Sequence, residues 1–170
     1  MKKDTQIYKQ GLETFPLSRV IFGNSMMLVW IGLGTIACWF VYPVVAWIYL
    51  AAAIIMIFFV LRKLVCTNCY YYGKQCALGW GKISALFFNP GSIEQFSTCV
   101  GIKAAPITYG LLTLIPLVFC IVALVQEVTV IKAAVLVLLL AVSVYSGAIS
   151  RKMACTNCKM RLICPGSAAQ

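Results

Sequence analysis

The chain has 170 residues, 62% of them hydrophobic and only 11% charged, and 14 Lys and Arg against 4 Asp and Glu give a formal charge of +10. A soluble domain is nearer half apolar and a quarter charged; with a mean hydropathy of +0.95 this composition indicates an integral membrane protein instead. Histidine is absent, which excludes His-assisted zinc hydrolysis, His-ligated haem, and Ser-His or Cys-His catalysis.

Residues 1–19 are polar and basic and form a cytoplasmic N-terminal segment, with Pro16 keeping a long helix from running into the membrane. They do not read as a signal peptide, because the apolar stretch behind them is too long and lacks a small-residue cleavage site. From Val20 to Leu61 no residue is charged. As one helix this stretch would measure about 63 Å, twice a bilayer core of about 30 Å. Two spans, near 20–41 and 44–64, fit better. Tyr42-Pro43 marks the turn, since proline disfavours helical geometry in its predecessor. Trp39, Phe40, Tyr42, Trp47 and Tyr49 gather there as an interfacial aromatic belt.

The second half repeats the plan. Two more spans are expected near 105–126 and 129–150, separated by a short polar interruption from Glu127 to Lys132. Glu127 and Lys132 are read as outer-turn residues that snorkel to the headgroups. Four spans put both termini and the central segment on one side, together with every basic residue except Lys132. By the positive-inside rule that side is the cytoplasm, and the chain belongs in the plasma or inner membrane. The basic excess therefore reads as helix flanks, and no motif supports nucleic-acid binding. In the central segment, Tyr70, Tyr71, Tyr72, Trp80, Phe87 and Phe88 with Lys74 and Lys82 suggest a stretch lying on the interface. Gly79, Gly81 and Asn89-Pro90-Gly91 are turn signals, and the tail 165–170 reads as frayed.

The most informative pattern is a repeat. Arg62-Lys63-Leu64-Val65-Cys66-Thr67-Asn68-Cys69 returns 89 residues later as Arg151-Lys152-Met153-Ala154-Cys155-Thr156-Asn157-Cys158. A third cysteine follows each, Cys76 and Cys164. The fold expected is an all-α four-helix membrane bundle built from two tandem helical hairpins, each ending in a cytoplasmic Cys-Thr-Asn-Cys module. Repeat 1 covers 20–69, a connecting segment 70–104, repeat 2 105–158 and the tail 159–170. A duplicated two-span unit keeps its orientation, which implies a pseudo-two-fold axis along the membrane normal. With the second and fourth spans near that axis, the two modules would meet.

Cys-x-x-Cys lets two thiolates of one turn bind one ion, and two such pairs complete a tetrahedral all-sulfur set. The ligands expected are Cys66, Cys69, Cys155 and Cys158, extended by Cys76 and Cys164, and the cofactor is zinc or an iron–sulfur cluster. The Cys-x₂-Cys-x₆-Cys and Cys-x₂-Cys-x₅-Cys spacings are not those of ferredoxins. Structural disulfides are disfavoured on a reducing face. Cys38 and Cys120 are read as core residues and Cys99 as a spare. Each pair follows the C-terminal end of a span, where the helix dipole favours a cation over a reactive thiolate.

The function expected is therefore a membrane protein with a cytoplasmic all-cysteine metal site shared by the two repeats, either structural or passing electrons to a membrane or cytosolic redox partner. A metal-ion transporter or delivery protein is the alternative, with Cys38 and Cys120 as stations on the route. A membrane-anchored dithiol oxidoreductase is the second, although no thioredoxin-like pattern accompanies the cysteines. No catalytic constellation is found. Besides the lipid bilayer, a second copy of the chain is admitted as a partner.

Overall fold

A computed structural model describes residues 7–169; Lys2, Lys3 and the rest of 1–6, expected in the N-terminal segment, and Gln170 lie outside the described residues. Among these the fold is helical, with a single isolated β-bridge between Leu12 and Cys158. Four helices are long and apolar enough to cross a membrane: α1 (Leu17–Trp39), α2 (Pro43–Asn68), α4 (Val100–Gln126) and α5 (Val130–Thr156). A short helix, α3 (Trp80–Phe87), lies in the connecting segment. The spans run 23 to 27 residues, about 35–40 Å of helix against a core of about 30 Å. The expected spans sit within them or overlap them closely, but α2, α4 and α5 extend further toward the cysteine end than their apolar runs suggested.

The boundaries follow from proline and threonine. Pro16 is the N-cap of α1, and Pro43 occupies the first turn of α2 behind an extended Tyr42, where a missing N–H costs nothing. Thr129 caps α5 by accepting from the Lys132 amide. Lys132 also turns its ammonium back onto the Ala123 and Glu127 carbonyls, both 3.1 Å away, at the C-terminus of α4. This is more than snorkelling: the cation satisfies orphan carbonyls at the negative end of a helix dipole.

Inside the bundle α1 packs against α2, α4 and α5, whereas α2 and α5 share no extended contact. The helix at the centre is thus the first, not the second and fourth spans. The core holds Trp30, Ile31, Cys38, Ala46, Tyr49, Ala53, Ile57, Leu112 and Leu139. Two polar side chains within it, Tyr49 and Trp30, find partners, as a hydrocarbon surrounding favours. Pro116 in α4 cannot donate to the Leu112 carbonyl four residues earlier, and the Tyr49 hydroxyl fills that vacancy at 2.9 Å. Trp30 Nε1 donates to Ser143 Oγ at 3.1 Å.

Both α2 and α5 contain a π-helical turn, Ile55–Val60 and Tyr145–Ser150, each ending just before the Arg-Lys that opens a cysteine module. The connecting segment folds back on the bundle through α3. Its Trp80, Gly81 and Ser84 are buried, while Ile83, Leu86 and Phe87 are exposed; an apolar exposed face on a short helix fits a segment resting at an interface. Gly79 does mark a turn, with a φ of +72° at the N-cap of α3. Gly81 does not. It lies within the helix, where a Cβ would collide with the Tyr71 carbonyl.

Candidate functional site

The two modules share three hydrogen bonds at the same positions. Thr67 Oγ1 donates to the Lys63 carbonyl at 2.7 Å, and Thr156 Oγ1 to the Lys152 carbonyl at 2.8 Å. Asn68 Nδ2 donates to Leu64 O at 3.4 Å and Asn157 Nδ2 to Met153 O at 3.3 Å. The Cys69 amide reaches Cys66 O at 3.3 Å and the Cys158 amide reaches Cys155 O at 3.2 Å. These bonds give the recurring Thr-Asn its physical role. The two side chains reach back four residues to satisfy the last carbonyls of a membrane helix, closing the old helix rather than capping a new one.

Beyond each pair the chain turns so that backbone amides face sulfur. The Tyr71 amide meets Cys69, the Met160 amide meets Cys158, and the Gly166 amide meets Cys164. Trp80 N donates to Cys76 Sγ at 3.2 Å. Hydrogen bonds of this kind favour the thiolate. Burial opposes them: it pushes the Cys158 thiol up to about 11 and raises Cys69 and Cys164 as well. Without a cation these groups are therefore thiols at neutral pH, the reverse of the low-pKa state a dithiol nucleophile needs.

The two modules are neighbours: the Lys159 amide, next to Cys158, donates to the hydroxyl of Tyr71, two residues beyond Cys69. Cys66, Cys69, Cys76, Cys155 and Cys158 are half-buried and form no disulfide. Cys99, expected as a spare, sits near Cys164. As the side chains stand, no three or more Cys, Asp or Glu groups among the described residues are disposed to hold a metal ion. Cys38 and Cys120 are fully buried in two separate apolar clusters, the first with Trp30 and Tyr49, the second with Ala37 and Val135.

What joins the modules was not legible beforehand. Tyr71, 2% exposed, packs its ring against Phe15 and Tyr70. Its hydroxyl donates to Leu12 O at 2.6 Å, accepts from the Lys159 amide at 3.1 Å, and contacts Cys158. The N-terminal segment laces over both modules: Tyr8 N donates to Lys159 O, Leu12 N to Asn157 O, and Phe15 N to Gln75 O, at 2.9–3.0 Å. Glu13 binds Lys159 and Tyr70 and lies 3.7 Å from Lys74. The Lys159 hydrogen bond, then that of Tyr70, hold its carboxyl down at about 2. The tail is tied down too, contrary to expectation: Arg151 donates to the Gly166 carbonyl and Ser167 N to Cys164 O.

Arg62 is the other residue sequence reasoning passed over. Read there only as a flanking charge, it is 1% exposed. Its guanidinium lies over the Trp80 ring with Phe58 to one side, and neither Nε nor either Nη has a hydrogen-bond partner. The groups facing its charge are Cys66, Cys76 and Tyr109. Trp80 is held in turn by Asn24, which accepts from its indole at 3.1 Å and donates to Leu78 O at 2.9 Å.

No family model, curated protein or solved structure matches the chain. The site has to speak for itself.

Proposed function

We propose that this is a multi-pass protein of the cell membrane, with both termini in the cytoplasm, whose two Cys-Thr-Asn-Cys modules together bind a metal through cysteine alone. The ligand pool is Cys66, Cys69, Cys76, Cys155, Cys158 and Cys164. The duplicated hairpins supply the two halves, and the N-terminal segment and Tyr71 bring them together in place of a direct contact between the second and fourth spans. The observation that carries the reading is the tie between the two cysteine modules, where Tyr71 accepts from the Lys159 amide and the N-terminal segment bonds both Asn157 and Gln75.

Several features favour a metal over other uses of cysteine. Both pairs close helices, and the negative end of a helix dipole favours a cation. Packing alone would not need a third cysteine and a sulfur-directed amide in each module. Loading requires the thiols to turn inward and release their protons to the solvent as the metal binds. Zinc would clamp the cytoplasmic ends of the bundle together, whereas an iron–sulfur cluster would make the same face a docking point for an electron-transfer partner. Transport is less well supported, because Cys38 and Cys120 lie in separate dry clusters and not along a shared polar route. Dithiol catalysis would want acidified thiols, whereas burial raises Cys69, Cys158 and Cys164.

The experiment is metal analysis of the purified protein with Cys69→Ser and Cys158→Ser beside it. A shared site predicts that either substitution removes the bound metal. If each leaves half of it in place, the modules bind separately and the shared reading fails.

A further inference from the structure

We propose that a cleft where α2 ends against α3 binds the headgroup of an anionic phospholipid from the adjoining leaflet, with Lys63 as its cation and Phe87 against its acyl chain. This goes beyond the metal reading and stands whatever the cysteines hold.

The cleft has a volume of about 360 Å³ and is lined by Lys63, Thr67, Phe87, Phe88 and Asn89; small-molecule sites run about 300–1,000 Å³. Three hydrogen bonds build it by clamping the end of α3 and the loop behind it onto the first module. Gly91 N donates to Thr67 O at 2.9 Å, Ser92 N to Asn68 Oδ1 at 3.0 Å, and the Tyr72 hydroxyl to Phe88 O at 2.5 Å. The loop needs glycine at 91, because a Cβ there would fall 2.1 Å from Asn68 Oδ1. Asn68 thus has two tasks, closing α2 with its amide nitrogen and holding the loop with its oxygen. Asn157, its counterpart, has only the first. Among the described residues no helix follows the second module, so only the first has such a wall.

The chemistry of the walls selects the ligand. The ion pairs among the described residues engage Lys74, Lys132 and Lys159, which leaves the exposed Lys63 ammonium with its N–H donors unspent. No acidic side chain lines the cleft. It therefore asks for an anion. Phe87 is 72% exposed and Leu86 beside it 79%, so the same cleft opens onto bare apolar surface, which a free phosphate would leave uncovered. From Pro43 to Lys63 the second span climbs about 30 Å, the thickness of a bilayer core. Lys63 comes out at headgroup level, where a lipid phosphate meets its chains and basic pockets collect anionic headgroups. A zwitterionic lipid fits less well, because its own ammonium would lie near Lys63 with no carboxylate to receive it.

The test is native mass spectrometry of the full-length protein in detergent, titrated with phosphatidylglycerol or phosphatidylcholine. Wild type should bind one phosphatidylglycerol about fivefold or more tighter than phosphatidylcholine. Lys63→Gln should lose roughly that factor for phosphatidylglycerol and keep its affinity for phosphatidylcholine. Lys152→Gln, the equivalent change in the second module, should stay within about twofold of wild type. Phe87→Ser should weaken both lipids, and inorganic phosphate should displace neither. Lys63 and Phe87 are exposed, so neither substitution disturbs the packed bundle. Equal losses in Lys63→Gln and Lys152→Gln would mean that the basic face attracts anionic lipid at large, and would overturn the cleft. Wild type without a preference for phosphatidylglycerol, or displacement by inorganic phosphate, overturns the anionic lipid as occupant. Unchanged binding in Phe87→Ser overturns the acyl contact.

Discussion

Replacing Tyr71 by Phe should loosen the junction of the two modules while leaving the membrane bundle intact. The substitution removes one oxygen from a site only 2% exposed, so water has little access to replace it. Two backbone groups lose a partner: the Lys159 N–H, 3.1 Å from the hydroxyl, and the Leu12 carbonyl, 2.6 Å away. A typical hydrogen bond contributes a net of about 0.5–1.5 kcal/mol, and an orphaned buried group costs about 1–3 kcal/mol. A local loss of about 2 kcal/mol is therefore expected, equivalent to a roughly 30-fold rise in opening. Hydrogen exchange of the protein in lipid nanodiscs reads this directly, at the Lys159 amide and in peptides covering residues 8–15. Exchange within α4 should not change and serves as the internal reference. Unchanged exchange at Lys159 would refute the claim that Tyr71 ties the modules together.

Other perturbations follow from the same geometry. Gly81→Ala drives a methyl group into the Tyr71 carbonyl and should destabilise the first module by roughly 3 kcal/mol, seen as a red shift of Trp80 fluorescence in a variant with Trp30, Trp39 and Trp47 replaced; an unshifted spectrum contradicts it. Glu13 should titrate near 2, because its folded pKa lies below its ordinary value of 4.5 through the bonds from Lys159 and Tyr70. Its contribution to the clasp is thus complete above about pH 4.5 and lost as the pH falls toward 2. Carbon-13 NMR of the carboxyl should show that midpoint, and Lys159→Met should move it upward. The carboxylate is 63% exposed, so the pair orients the segment more than it stabilises it. Cys38→Ala and Cys120→Ala should keep the full metal content; loss of metal in either would reopen the transport reading.

The spans and their pairing into hairpins were legible in the sequence because a bilayer imposes a length on apolar runs and proline marks the turns. Tyr42-Pro43 and Pro16 stand where backbone sterics place them. The cysteine end of the spans expected near 44–64, 105–126 and 129–150 was misjudged by several residues, since the helices continue past the apolar runs to Asn68 and Thr156, and α4 starts as early as Val100. The Thr-Asn pair was visible as a repeat, but its role needed coordinates: a short polar side chain reaching back to a helix carbonyl looks, in sequence, like one capping the next helix. The segment 8–15 carries no periodicity, so its lacing over both modules left no trace. Arg62 and Arg151 are the sharpest lesson. They occupy equivalent places in an eight-residue repeat, yet one lies buried against the Trp80 ring and the other faces solvent, because only the first module is followed by Trp80.

The account turns on whether the thiols of two neighbouring modules hold a metal. Inductively coupled plasma analysis of protein purified anaerobically and aerobically, read beside its visible spectrum, answers this most directly. Zinc in stoichiometric amount without colour, or iron and sulfide with a brown absorption, is the expected result. Metal-free protein from both preparations, with Cys66–Cys69 or Cys155–Cys158 cycling between dithiol and disulfide, would contradict it.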